Sequence, residues 1–432
     1  MQRNKAIYAI APQQCNEIKQ RMLNWSRPFS ILLFLDSNGY KDKYSRYECL
    51  LAVDTAENTP VCKNLGSLGD FHKEHTDWLF GHINYDYKNV LEPRLSTKHK
   101  DSVSFPDFHF FCPQTVCYIN TEKTDLVVET FSPSPDDIYH AILATSPDCT
   151  ATIPKVVFEK RTTKETYLER VNKLRQHIKA GDCYEINYCN ESYAENTSIN
   201  PADVYIALNG LSRAPFAAFY RNSNRYLVCA SPERYIQKQG NKIISQPIKG
   251  TARRDKDEIQ DKLIKEQLHN SIKDRAENVM ITDLVRNDLA RSCDTGSIQV
   301  DELFGIYTFP QVHQMISTIT GDLNNERTFT DAIKYSFPMG SMTGAPKIKV
   351  MELIELYEDV CRGLFSGTVG YISPGGDFDF NVVIRSLFYN ADNQYLGYKA
   401  GGAITYDSDA EAEWEEMRLK AWALERIFAG EM

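Results

Sequence analysis

Residues 167–188 read YLERVNKLRQHIKAGDCYEINY. Tyr167, Val171, Leu174 and Ile178 fall at spacings of four, three and four, one stripe along a helix, and Gly181 supplies its stop. Tyr184, Ile186 and Tyr188 then alternate with polar neighbours, the period of a strand. Beyond this point helices are expected over Glu258–Ser271, Asp274–Ala290, Pro346–Tyr357 and Glu411–Phe428, with strands near Tyr226–Cys229, Gly367–Tyr371 and Val382–Phe388. Helices and strands that mix without a regular β-α-β rhythm indicate an α+β fold rather than a doubly wound parallel sheet.

Upstream, Ile31–Leu35, Glu48–Val53, Leu79–Tyr85 and Phe108–Phe111 are short apolar runs of antiparallel-strand type, and Asn38-Gly39 is a tight turn. Between Thr145 and Pro154 the composition shifts to Ser, Thr, Pro and Asp, which divides a β-rich portion, 1–150, from a second portion, 151–432. A length of 432 residues with 42% hydrophobic content is enough for a large core and excludes a disordered or fibrous chain. Lys plus Arg number 49 against 58 acidic residues, and no basic patch is concentrated anywhere, so no nucleic-acid partner is expected. The eleven cysteines are scattered without a C-x-x-C pair, which fits a reducing compartment. Met1–Asn24 has no apolar core of signal type and no run could cross a bilayer, so a soluble, cytoplasmic protein without a membrane partner is expected.

The common nucleotide cradles, G-x-x-x-x-G-K-[ST] and G-x-G-x-x-G, do not occur. Neither do a G-x-S-x-G elbow, a G-x-C-x-G elbow for a glutamine-hydrolysing thiol, or an H-x-x-x-H zinc pair.

Several clusters have a chemical reading beside a structural one. Glu413 and Glu416 share a face at the start of the last expected helix. Carboxylates there complement the helix dipole, and two on one face can also hold a hard divalent cation. Asp274 and Glu277 repeat the i, i+3 relation on another helix, where pairing with Arg275 and Arg286 is the plainer role. Lys249 stands in QPIKGTARR, between Pro247, which fixes the backbone, and Gly250, which allows close approach. Such a lysine is either a solvated surface charge or, in a partly dry site, a nucleophile or base. GSMTGAPK (340–347) is a Gly-rich turn before a helix, able to hold an anion with support from Thr343 and Lys347. Gly401-Gly402-Ala403 permits backbone contact with a small molecule, and Arg385 ends an apolar run, as carboxylate binders or buried ion pairs do.

Taken in order, SPERY (231–235), PIKGTARR (247–254), AENVMITDLVRNDLAR (276–291), GSMTGAPK, RGLFSGTVGY (362–371), the VVIRS run and AGGAITYDSDAEAEWEEM (400–417) resemble the chorismate-utilising enzymes. That family includes anthranilate, aminodeoxychorismate, isochorismate and salicylate synthases. It implies large, mostly antiparallel sheets with helices packed outside, and 151–432 as the chorismate-binding portion. The PIKGT string resembles the aminodeoxychorismate synthases, whereas anthranilate synthases, the nearest alternative, generally carry alanine in place of Lys249. The likeness implies Mg²⁺-dependent amination of chorismate in 4-aminobenzoate and folate synthesis. Lys249 would attack C2 of the ring as the C4 hydroxyl departs, Glu233 would act as acid and then base, and ammonia would replace the lysine from C4.

By the same likeness Glu277 and Glu416 are Mg²⁺ ligands, with Asp274 and Glu413 in support. Gly250 and Thr251 meet the ring carboxylate, while Arg385, Gly401 and Gly402 meet the enolpyruvyl carboxylate. His313 lies near the ring, and Lys420 adds positive charge. A separate glutamine amidotransferase subunit would supply ammonia. Three residues depart from the family pattern: Phe365 replaces a tyrosine, Ala403 a glycine, and Glu185 stands where isochorismate synthases carry a lysine that activates water and amine-transferring relatives often have glutamine. A catalytically silent binding subunit is the alternative from another class, against which the intact Lys249, Glu277 and Glu416 speak.

Overall fold

Ile31–Leu35 is apolar at every position because both of its faces are covered. Ile31 and Leu33 join one core cluster, and Leu32 and Phe34 join another on the opposite side. The computed structural model describes residues 2–148 and 152–430, so the middle of the stretch Thr145–Pro154 lies outside the described residues.

The elements that carry the site are α1 (Lys164–Lys179), β1 (Glu185–Ala194), β2 (Arg225–Ser231), β3 (Arg234–Gln239) and β4 (Ile248–Arg253). They are followed by α2 (Glu258–Asn270), α3 (Ile272–Ala290), β5 (Val312–Asp322), α4 (Lys347–Tyr357), β6 (Phe378–Asn381), β7 (Ser386–Asn390), β8 (Tyr395–Ile404) and α5 (Ala410–Arg426).

Two sheets of twelve and nine strands form the frame. The larger runs Asn4–Ala9, Asp125–Thr130, Pro113–Asn120, Tyr47–Thr55, Ile31–Asp36, Phe216–Asn222, β2, β7, β8, β1, Gly344–Ala345, with Glu159–Lys160 also on β1. The smaller runs β4, β5, Lys242–Gln246, β3, β6, Thr368–Ile372, Leu79–Ile83, Phe108–Phe111, with Gln299–Thr308 also on β5. Every pairing among the described strands is antiparallel, for example Ala218 opposite Leu35 and Gly370 opposite Gly81. These two pairings also show that both sheets take strands from either side of residue 150.

The α1 stripe is buried as its period requires, with Tyr167, Val171 and Leu174 closed off from solvent. Tyr167 stacks on Tyr188 of β1 and meets Trp414 of α5 edge-on, so both helices cover the outer face of the larger sheet. Two strand boundaries differ from expectation. Leu79–Tyr85 ends as a strand at Ile83, and Tyr85–Tyr87 forms a 3₁₀ turn. Val382–Phe388 is not one strand: β6 ends at Asn381 in the smaller sheet, and β7 begins at Ser386 in the larger. The intervening Val382–Arg385 is buried at Val382 and Val383 and partly buried at Ile384 yet crosses between layers, so hydrophobicity alone reads it as strand.

Candidate active site

Two crossings between the sheets lie side by side. Ser231–Arg234 leads from β2 to β3 and carries Glu233; Val382–Arg385 leads from β6 back to β7 and ends on Arg385. The Val382 N–H donates to the Glu233 carbonyl at 3.0 Å and the Ala230 N–H to the Arg385 carbonyl at 3.1 Å. Arg385 itself has φ 52°, a left-handed turn that a strand would not contain.

Lys249 reaches the same place from β4. The pairing of β4 with β5 slips between Ile248 and Thr251, and a bulge of this kind re-aims the residue it displaces. Gly250, at φ +95°, lies so close to α3 that an added Cβ would stand 3.0 Å from the Asp274 Cβ. Lys249 is 8% exposed, and its ammonium donates to Glu185 Oε1 of β1, bridging the two sheets. Burial alone would lower the Lys249 ammonium, but the charges of Glu185, Glu277 and Glu233 outweigh it and hold the group above the usual lysine range. The resting lysine is therefore an ammonium, and a dry environment does not by itself free its lone pair.

The carboxylates around it differ. Glu233, 5% exposed, is pushed up to about 7 by burial, the Lys249 charge offsetting only part. Glu277 is also raised to about 7, by burial first, with Lys249 and Lys273 pulling the other way. Glu416 is held below the usual range by Lys420, whose Nζ lies 2.7 Å from it. Burial raises Glu413, which accepts from the Ser408 hydroxyl at 2.8 Å.

The starts of α3 and α5 converge, since the Lys273 ammonium, 3.9 Å from Glu277, also faces Asp274, Glu413 and Glu416. Among the described residues no three His, Cys, Asp or Glu side chains gather into a metal cage, so the four acids do not close as one set. Glu277 and Glu416 are hard oxygen donors from two helices, which suits Mg²⁺, an ion that commonly takes one or two protein carboxylates and completes its shell with substrate and water.

The other expected residues separate into two groups. Arg385 is left short of partners: its guanidinium donates to the Lys420 carbonyl at 3.1 Å, and it forms no ion pair among the described residues. Burial, with Glu416 as the only offset, lowers it to about 10, and its guanidinium is left with donors that an anion could take. The two glycines face opposite ways. An added Cβ at Gly401 would lie 2.1 Å from the Tyr188 carbonyl oxygen, so this glycine serves sheet packing. At Gly402 the Cβ direction meets Glu413 and Lys420 at 3.1 and 3.5 Å, which puts that residue in the site.

Thr343 is fully buried, and its hydroxyl donates to the Met339 and Gly340 carbonyls at 3.1 and 3.3 Å, so its side chain is occupied by its own turn. Lys347 does not support an anion at that turn; its ammonium pairs with Asp288 at 2.6 Å and donates to the Ser336 carbonyl. Both ring nitrogens of His313 are engaged, by Thr308 at 3.0 Å and by Asp261 of α2 at 3.0 Å. Thr251 is exposed on β4 beside the bulge. Sequence reasoning missed Lys273, which reads as one more surface charge at a helix start, and left Glu185 without a task.

Glu233 gives a test that needs no substrate. A carboxyl with a folded-state value near 7 and an ordinary value of 4.5 binds its proton more tightly in the fold. Its stabilising contribution is full below about pH 4.5 and is lost as pH rises through about 7, at most about 3 kcal/mol. Urea unfolding of Glu233→Gln against the parent should therefore show near-equal stability around pH 5 and an advantage for the variant growing toward pH 8. An advantage that shrinks with rising pH would contradict the raised value.

The family model for a chorismate binding enzyme matches residues 33–426. The chain belongs to the chorismate-binding enzyme family. It is 39% identical over 259 residues to aminodeoxychorismate synthase component 1 of Escherichia coli, covering 60% of this chain and 56% of that protein. With the chloroplastic aminodeoxychorismate synthase of Arabidopsis thaliana it shares 39% over 272 residues, 62% of this chain and 29% of that protein. An anthranilate synthase component I-like protein of Synechocystis is 33% identical over 353 residues, 81% of this chain and 72% of that protein. The chain thus spans little more than half the length of the first of these relatives and less than a third of the second.

The fold is that of anthranilate synthase component I from Streptococcus pneumoniae, with TM-score 0.74, 24% identity and coverage of 98% and 92% of the two chains. The menaquinone-specific isochorismate synthase of Escherichia coli is equally alike, with TM-score 0.75 and 17% identity over 99% and 95%. The α+β family fold, with large antiparallel sheets and outer helices, is therefore as the sequence implied.

Proposed function

We propose that the protein aminates chorismate at C4 to give 4-amino-4-deoxychorismate, as the chorismate-binding component of a cytoplasmic aminodeoxychorismate synthase that serves 4-aminobenzoate and folate synthesis. The observation that carries this reading is Lys249, a buried amine held between the sheets and surrounded by Glu185, Glu233 and Glu277. The aminodeoxychorismate synthases among the relatives support it.

In this reading Lys249 attacks C2 of the ring, the electron pairs of the ring shift, and the C4 hydroxyl leaves as water with the proton of Glu233. The raised value of Glu233 leaves this proton on roughly half of the molecules at pH 7, where an ordinary glutamate would have lost it. Ammonia then adds at C4, the bond from C2 to Lys249 breaks, and Glu233 takes the surplus proton from the new amine. Two displacements return the nitrogen to the carbon that lost oxygen. Arg385 and the Gly402 backbone hold the enolpyruvyl carboxylate, Gly250 and Thr251 the ring carboxylate, with Lys420 adding positive charge. Thr343 and His313 shape the walls through their own hydrogen bonds. Glu277 and Glu416, with Asp274 and Glu413 behind them, would hold Mg²⁺, which when bound neutralises the ring carboxylate. Ammonia comes from a separate glutamine-hydrolysing subunit or from ammonium in solution.

The test is product analysis with chorismate, Mg²⁺ and ammonium, without any lyase. A ring product carrying one amine at C4, converted to 4-aminobenzoate only after lyase is added, is expected. Fluorescent anthranilate formed directly would overturn the reading in favour of an anthranilate synthase.

A further inference from the structure

The Glu185–Lys249 contact has no task in the displacements as described. We propose that Glu185 is the base that takes the proton from Lys249 before attack and returns it when the lysine leaves the ring. This role rests on the amination reading. The step balances on its own residues: one Lys249 N–H bond breaks, its electron pair becomes the lone pair that bonds to C2, and a Glu185 O–H bond forms. When ammonia has displaced the lysine, the amine departs neutral and the proton passes back, restoring the ion pair.

Geometry singles out this carboxylate. Glu185 Oε1 is in contact with the Lys249 Nζ, and the two side chains are 4% and 9% exposed, so solvent has little access to carry the proton off. The charged groups that face Lys249 are Glu185 of β1, Glu233 of the sheet crossing, Glu277 of α3 and Glu416 of α5. Glu233 keeps its own proton for the leaving hydroxyl, and Glu277 and Glu416 are assigned to the cation, which leaves Glu185.

Its second oxygen, Oε2, is buried without a hydrogen-bond partner. A buried glutamate with a purely structural task looks different: both oxygens of Glu358 are taken, by Arg362 at 2.6 and 2.9 Å and by the Cys189 N–H at 2.9 Å. The Glu185 backbone is also fixed. It pairs with Ala345, and Gly344, at φ +143°, lies so near that an added Cβ would come within 2.1 Å of the Glu185 carbonyl oxygen.

The experiment uses the full chain with Glu185→Gln and Glu185→Asp. Cyanate labelling of Lys249, read by peptide mass spectrometry from pH 6 to 11, needs no turnover. Glu185→Gln should label at least about tenfold faster than the parent at pH 8, because the lysine has lost its nearest carboxylate. In turnover, kcat of Glu185→Gln at pH 7.5 should fall roughly 10²-fold with KM for chorismate within about threefold, and its ratio to the parent's kcat should climb with the neutral fraction of Lys249 that labelling reports. The parent should show no such climb, its kcat following only the loss of the Glu233 proton above about pH 7. Glu185→Asp keeps a carboxylate and should retain the parent's profile at a lower rate, which covers a misfolding Gln variant. Unchanged labelling in Glu185→Gln, a kcat within about threefold of the parent, or an equal loss at every pH would each overturn the role. If the parent aminates nothing while labelling still responds, the amination reading fails and the proton pair stands.

Discussion

Lys249→Ala should lower kcat for ring amination by on the order of 10³-fold or more, about 4 kcal/mol of barrier, while the protein still folds. In the proposed reaction the lysine contributes twice: as the nucleophile and as the positive charge among Glu185, Glu233 and Glu277. Alanine removes both, so KM for a dianionic substrate should rise as well. Lys249→Arg separates the two contributions. A guanidinium keeps the charge and can pair with Glu185, but it does not give up a proton near neutrality, so binding should survive and chemistry should not. Acid quenching of the parent during turnover should leave a peptide containing Lys249 heavier by chorismate less water. A kcat for Lys249→Ala within about threefold of the parent would remove the lysine nucleophile from the scheme, and a parent that turns over no chorismate would be a binder.

The largest loss of stability is expected at Arg362, outside the chemistry. Its guanidinium is 2% exposed and makes two bonds to Glu358, with others to the Met342 carbonyl at 2.7 Å and the Asn187 carbonyl at 2.9 Å. It lies over the Tyr85 ring, 4.6 Å from the centroid. Arg362→Met strands the Glu358 carboxylate and two carbonyls in the interior, and breaking one side of a buried pair costs about 3–5 kcal/mol. The urea midpoint and Tm should fall well beyond experimental scatter. Replacing both Arg362 and Glu358 by methionine should recover part of the loss, because no lone charge is then left inside. By contrast Arg418→Met, which breaks a half-exposed pair with Glu415 at 2.9 Å, should change stability by less than about 1 kcal/mol. A loss below about 1 kcal/mol at Arg362 would mean that water reaches Glu358. Asn187 is two residues along β1 from Glu185, so the same variant should also lower kcat by loosening the strand that holds the proposed base.

Much of this architecture was legible in advance, and the reasons are local. The helix over Lys164–Lys179 announces itself because three apolar residues at its period must all be buried on one sheet. Ile31–Leu35 is readable for the opposite reason, that neither face meets water. The crossing Val382–Arg385 was not legible, because burial between layers asks for the same residues whether or not the backbone joins a ladder. Lys347 misled for a related reason: a lysine after a Gly-rich turn suits an anion, but Asp288, 59 positions earlier, had already claimed it. Lys249 stood out through its neighbours Pro247 and Gly250, yet its resting charge state depends on carboxylates from three other parts of the chain, which no local pattern reports. Glu185 was visible as an oddity whose partner only the fold supplies.

The paired crossings have a mechanical corollary. Since the Glu233 and Arg385 segments are pinned to one another by backbone hydrogen bonds at 3.0 and 3.1 Å, any slip of one layer over the other drags Glu233 and Arg385 along as a unit. Lys249 and Glu185 have no such backbone tether to one another among the described residues, for each rides on its own layer and their side-chain contact spans the gap. Breathing of the layers would thus be felt first as a stretch between the proposed nucleophile and base, with Glu233 and Arg385 left in register.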